Sequence, residues 1–140
     1  MRVLLPLGLF ALLTAQASPA ELEVQVQGLR NADGQVRLCL TRNPAHFPDC
    51  NGDPAAVRRS LPARAAASIR LRGIPAGIYA LSVIHDENND GRLNRFMAIP
   101  REGFGFSRNP RIRMGPPRFD EVRFQLSGTV RQAVQMRYLL

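Results

Sequence analysis

No tryptophan occurs in this chain, and only two cysteines and two histidines. Without Trp, the Cys-Trp-Cys core of a true immunoglobulin domain is excluded. With His46 the only further nitrogen ligand between Cys39 and Cys50, a metal centre on that pair lacks its remaining ligands. No apolar run beyond the N-terminal one approaches the roughly 20 residues of a membrane helix. No stretch carries helical periodicity for more than about two turns. Lysine is absent altogether, so all 19 basic residues are Arg, against 11 acids. A surface of guanidinium groups suits phosphate and carboxylate partners. An Arg-only set is equally what a coding preference produces, with the charge serving solubility. For an exported chain the basic partner is an anionic envelope polysaccharide or another envelope protein; nucleic acid is not expected.

Export is read from the start of the chain. One positive charge, Arg2, precedes an apolar run from Val3 to Leu13, and small residues follow. That is the pattern of a secretory leader. Cleavage is expected after Ala17 or Ala20, leaving residues 21–140 as one domain in the periplasm or outside the cell, with no transmembrane segment. Removal of Arg2 with the leader takes the formal charge from +8 to +7. In that oxidising setting Cys39 and Cys50 are expected to bridge.

Apolar and polar residues alternate in short runs. Leu22, Val24 and Val26 share one face of a first strand, and Val36, Leu38 and Leu40 one face of a second, with a turn around Gly34. Cys39 falls on the outer face of that hairpin. Residues 42–62, punctuated by four prolines, read as a long loop with a short helical turn over Pro54–Ser60. Further strands are expected over 65–72, 78–85, 96–99, 122–126 and 130–138. In the fourth, Tyr79, Leu81, Val83 and His85 face one way, and Ala80, Ser82 and Ile84 the other. Residues 100–117 read as irregular. The fold class is all-β, an antiparallel seven-stranded β-sandwich of immunoglobulin-like or transthyretin-like type. The expected core is Val24, Val26, Leu38, Leu40, Ile69, Leu71, Leu81, Val83, Phe124 and Leu126.

Four short motifs then stand out: Gly77-x-Tyr79, His85-Asp-Glu-Asn-Asn-Asp-Gly-x-Leu-Asn94, Ile99-Pro-x-Glu-Gly-Phe-Gly-Phe-Ser107 and Pro117-x-Phe119. In combination they resemble a bacterial exported family catalogued as domain of unknown function 2141. The resemblance covers essentially the whole chain after the leader. It implies a transthyretin-like or prealbumin-like sandwich and no established activity. The chain ends Arg137-Tyr-Leu-Leu, unlike the Tyr-Arg-Gly-Ser ending of the hydroxyisourate hydrolases that share the transthyretin fold, so that activity is not expected.

Two segments can carry a site. Asp86-x-Asn88-x-Asp90-Gly91-x-Leu93-Asn94 is the front half of a calcium loop: side-chain oxygens at Asp86, Asn88 and Asp90, the backbone carbonyl of Arg92, and Asn94 through water. The twelfth position, normally a bidentate Glu, is Met97, and a strand precedes the loop, so an EF-hand is excluded. Glu87 or Glu102 can complete the set only through tertiary folding. The competing reading is an Asx-rich turn that caps its own backbone. The second segment, 101–118, offers Arg101, Arg108, Arg111 and Arg113 around Phe104 and Phe106, a pattern that stacks on sugar rings and binds anions when exposed. The alternative is that both Phe plug the sandwich while the Arg side chains pair with Asp86, Glu87 and Asp90. A hydrolase using His85 and Asp86 with Ser107 as nucleophile needs the three side chains to converge, and adjacent strand residues such as His85 and Asp86 point to opposite faces. The expected function is a non-enzymatic binding or structural module of the envelope, with a calcium-dependent carbohydrate-recognition domain next.

Overall fold

The structure is a computed structural model that describes residues 10–14, 18–91, 95–96 and 99–140. The described strands are β1 (Ala20–Gln27), β2 (Gln35–Thr41), β3 (Val57–Pro62), β4 (Ser68–Ile74), β5 (Gly77–Asp86), β6 (Arg95–Phe96), β7 (Ile99–Pro100), β8 (Gly103–Phe106), β9 (Phe124–Leu126) and β10 (Thr129–Gln135). A single helical turn, α1 (Phe119–Val122), precedes β9. One sheet runs β10-β1-β4; the other runs β3-β2-β5-β8, with β9 also on β5. β6 and β7 form a separate two-residue hairpin.

Alternation decides what is buried. Leu22, Val24 and Val26 of β1 meet Val36, Leu38 and Leu40 of β2, Ile69 and Leu71 of β4, Leu81 and Val83 of β5, and Phe124 and Leu126 of β9 in one core. All ten expected core residues lie in it. β5 is the longest strand, and two others pair along it besides β8: β2 along Ala80–Asp86 and β9 along Gly77–Tyr79. Near the start of the chain, Phe10, Leu12 and Leu13 are 97%, 91% and 95% exposed and add nothing to this core.

Three features depart from the expected seven-stranded antiparallel sandwich. β10 pairs parallel to β1, with Leu22 opposite Val130 and Val26 opposite Val134, so that sheet is mixed. The helical turn expected over Pro54–Ser60 is instead the start of β3, which pairs antiparallel with β2 from Val57 to Pro62. The segment expected to be irregular contains β8, a buried Gly-Phe-Gly-Phe strand. Its glycines face the chain at and after β10: a Cβ on Gly105 would sit 2.5 Å from Val134 Cγ1, and one on Gly103 2.4 Å from the Tyr138 ring. That approach lets Phe104 and Arg137 exchange backbone hydrogen bonds of 3.0 and 2.8 Å, which ties the two sheets together.

Cys39 and Cys50 are bridged across a Cα separation of 5.7 Å, as expected. The bridge pins the loop after β2 onto the outer face of the five-stranded sheet. Closing a loop of this length stabilises by about 3 kcal/mol on the chain-entropy model. The double replacement Cys39→Ala/Cys50→Ala should therefore cost about 2–3 kcal/mol in denaturant unfolding. Leu81→Ala, at a site with no exposure, should cost about 3 kcal/mol. A loss below about 1 kcal/mol for Leu81→Ala would contradict the packing described.

Candidate functional site

β5 ends at Asp86, where the period of two points His85 into the sandwich and Asp86 to the outer face. Both are completely buried. A buried carboxylate needs donors, and Asp86 has three. Its Oδ2 accepts from Arg37 Nε at 2.9 Å and from the Gly91 amide at 2.8 Å, and its Oδ1 accepts from the Asp90 amide at 3.1 Å. Arg37 lies diagonally across from it on β2 and also donates to Asn89 Oδ1 at 3.2 Å and Ser60 Oγ at 3.1 Å. Asn88 Nδ2 donates to Asp90 Oδ2 at 3.1 Å. Asn89 and Gly91 take positive φ of 55° and 75°, which the turn requires. The turn between β1 and β2 presses against this loop, because a Cβ on Gly34 would lie 2.0 Å from the Asp86 carbonyl oxygen.

Of the expected cation ligands, the structure brings Asp86, Asn88 and Asp90 together; Arg92 and Asn94 lie outside the described residues, as does Met97. Between Glu87 and Glu102, the fold selects Glu102. One carboxylate oxygen each from Asp86, Asp90 and Glu102 lies within 4.8 Å of the others. Two oxygens held at about 2.3–2.6 Å from one calcium ion are at most about 5 Å apart, so this spacing suits a shared cation. Asp86 and Glu102 are buried and Asp90 is exposed, so the cluster opens to solvent on one side.

Glu87 is engaged elsewhere. Arg30 Nε donates to it at 2.7 Å and Asn31 Nδ2 at 3.3 Å. Burial pushes the Glu87 carboxyl up, but the hydrogen bonds from Arg30 and Asn31 outweigh it and hold it below its ordinary value. Arg30 also lies 4.5 Å over the Tyr138 ring and donates to the Leu140 carbonyl at 2.6 Å. Tyr138 is in turn pushed up by burial.

His85 contacts the Asp33 carbonyl through Nε2 and the Tyr138 hydroxyl through Nδ1, both at 2.7 Å. A carbonyl only accepts, so Nε2 carries a proton and donates to Asp33. Ser107 Oγ donates to the Val122 carbonyl at 2.6 Å and accepts from the Leu81 amide at 3.1 Å. Neither side chain reaches the other, and both are buried.

The second candidate segment is corrected in its aromatic part. Phe104 and Phe106 are 4% and 5% exposed, so they offer no stacking face to a ligand. They form a second core on the outer face of the five-stranded sheet with Ala80, Val122, Phe47 and Phe119. Phe47 stands 5.9 Å from Phe106 and 6.2 Å from Phe119, ring centre to ring centre. Two of the three acids expected to pair with these Arg side chains are taken by others, Asp86 by Arg37 and Glu87 by Arg30. Arg101, Arg108, Arg111 and Arg113 are exposed, and Arg108 donates to the Arg123 carbonyl at 3.4 Å.

Sequence reasoning missed a groove of about 550 Å³ over β3, β2 and β5. Arg37, Arg58, Ser60 and Ser82 belong to its lining, with Asn51 of the bridged loop on one side and Pro116 on the other. The only sequence signal was the outward position of Arg37 and Cys39.

Residues 24–134 match the family described as "Uncharacterized protein conserved in bacteria (DUF2141)". The chain belongs to that family. No curated protein and no solved structure matches it. As a member of DUF2141 it brings no named activity, so the chemistry rests on the geometry. Among the described residues no helix is long and apolar enough to cross a membrane.

Asp86→Ala should cost about 2–3 kcal/mol, because it strands Arg37 and two loop amides. For Glu87, a carboxyl held below its ordinary value of 4.5 adds stability that is full above that value and lost as pH falls through the folded-state value. Glu87→Gln should thus destabilise at pH 7 by on the order of 1 kcal/mol, with the side chain only partly shielded from water. The gap to the parent protein, followed by thermal unfolding, should close as pH falls below about 4.

Proposed function

We propose that the protein is an exported, non-enzymatic module of the bacterial cell envelope, a sandwich of immunoglobulin-like or transthyretin-like type. In this reading the loop after β5 is a calcium site. The observation that carries it is the convergence of Asp86, Asp90 and Glu102 within 4.8 Å. Glu102 then supplies the carboxylate that Met97 cannot. Asn88 sits at the third position of the loop as a further oxygen donor, and Arg92 and Asn94 occupy the seventh and ninth. The ion would tie the β5 loop to the residue just before β8 and so steady one end of the sandwich. Asp90 on the exposed side supports the neighbouring reading, a calcium-dependent carbohydrate-recognition domain, in which the ion keeps positions open for sugar hydroxyls. A hydrolase on His85 draws no support from the geometry, since both ring nitrogens are engaged and Ser107 is turned elsewhere.

Export fits the bridged cysteines. Of the two expected cleavage positions, the one after Ala17 is favoured. Ala20 is buried at the head of β1, opposite Ile74 of β4, and a cut after it would remove that contact.

A ligand that binds only the folded state stabilises it by mass action, by about 2.7 kcal/mol at a hundred times the dissociation constant. That is several degrees for a domain of this size. With an affinity on the order of 10⁻⁴ to 10⁻³ M, as in extracellular modules, calcium well above millimolar should raise the melting temperature of the exported protein. Magnesium should do less, because it gives up its water reluctantly. Asp90→Ala and Glu102→Gln should each abolish the rise. Equal responses to both metals, unchanged in both variants, would make the loop a turn and nothing more.

A further inference from the structure

We propose that the groove on the outer face of the five-stranded sheet binds an oxyanion carried on a small sugar, a carboxylate or a phosphate, with Arg58 as its principal contact. This deepens the reading of the protein as a binding module and rests on it; it does not rest on calcium.

The register sets out the floor. On the outer face Arg58 lies opposite Cys39, and Cys39 opposite Ser82; one row along, Ser60 lies opposite Arg37, and Arg37 opposite Ile84. Arg58 and Arg37 are therefore diagonal neighbours, within reach of one ligand group. They differ in what they already hold. Arg37 is committed to Asp86 at 2.9 Å, to Asn89 and to Ser60. Arg58 is exposed and makes no ion pair or side-chain hydrogen bond with any described residue. Asp49, the carboxylate of the groove wall, accepts from the amide and side chain of Asn51 at 3.0 and 2.9 Å, and so is turned to its own turn. The disulfide holds the loop that forms one wall, and the Asp86 pair holds Arg37 on the floor. Its volume of about 550 Å³ falls in the range of small-ligand clefts. A guanidinium with an open two-pronged edge selects carboxylate or phosphate over neutral groups. The hydroxyl of Ser60 and the amide of Asn51 suit sugar hydroxyls at the margin.

The test is isothermal titration of the exported protein with trigalacturonic acid, its methyl ester, and glucose 6-phosphate, with Arg58→Gln, Arg72→Gln and the pair Arg111→Gln/Arg113→Gln as variants. Arg72 lies on the other sheet and controls for net charge. One of the two anionic ligands should bind, and which one identifies the source of the oxyanion. Its affinity should fall by about tenfold in Arg58→Gln, the loss of one charged hydrogen-bonding contact, and stay unchanged in Arg72→Gln. The methyl ester should not bind. Binding that survives Arg58→Gln but is lost in the Arg111/Arg113 pair overturns the groove and leaves the binding-module reading standing. Absence of binding by both anionic ligands, in protein whose melting temperature is that of the folded chain, overturns the proposal. Equal binding of the acid and its ester does the same.

Discussion

The Asp86 carboxylate, buried at the end of the longest strand, is the constraint on which the site end of this molecule depends. An ionised group with no exposure is tolerable only when hydrogen-bonded and paired. That requirement explains why the next five residues fold back: the Asp90 and Gly91 amides must reach it. It also gives Arg37, on the outer face of β2, its partner. Through Arg37 the same carboxylate holds Asn89 of the loop and Ser60 of β3. One buried charge thus fixes the loop and links three strands, and the groove floor inherits that rigidity.

At the other side of the sheet the constraint is steric. β8 can lie beside β5 and also meet the chain after β10 only if two of its four residues have no side chain. The remaining two, Phe104 and Phe106, must then share the outer face and need cover. Phe47 from the bridged loop and Phe119 and Val122 from the α1 turn provide it. The disulfide therefore serves two ends: it tethers a long loop and keeps Phe47 over Phe106. Because the aromatic residues are absorbed by this second core, the arginines around them lose the stacking partners that a glycan-binding loop would need. The groove where Arg58 stands open is the better place to test for an anionic partner.

What was legible in the sequence follows from the same physics. β1, β2 and β5 bury one face each, so their alternation is clean, and the main core could be read from it. β3 is an edge strand whose Arg58, Arg59 and Ser60 are all exposed; with four prolines around it, nothing in its pattern marks a strand. β8 alternates Gly with Phe, which resembles turn chemistry unless one knows that another strand crosses it. The parallel pairing of β1 with β10 is invisible to periodicity, which reports facing and not direction. Glu102 shows the limit most clearly. Its distance in sequence from Asp86 carries no information, and only the return of the chain as β8 brings the two carboxylates together.

The order of events at the loop also bears on what an ion would do there. A carboxylate has roughly four lone-pair sites, and Asp86 uses three of them on protein donors. One direction remains for a cation. The loop closes on its own hydrogen bonds, with positive φ at Asn89 and Gly91. This differs from metal-folded domains, where ligands are scattered until the ion gathers them. Binding to a preformed loop costs little ordering, but the competition from Arg37 for the same carboxylate weakens the ion's hold. The first effect favours binding and the second opposes it, and an ion held under both would adjust stability and leave the fold as it is.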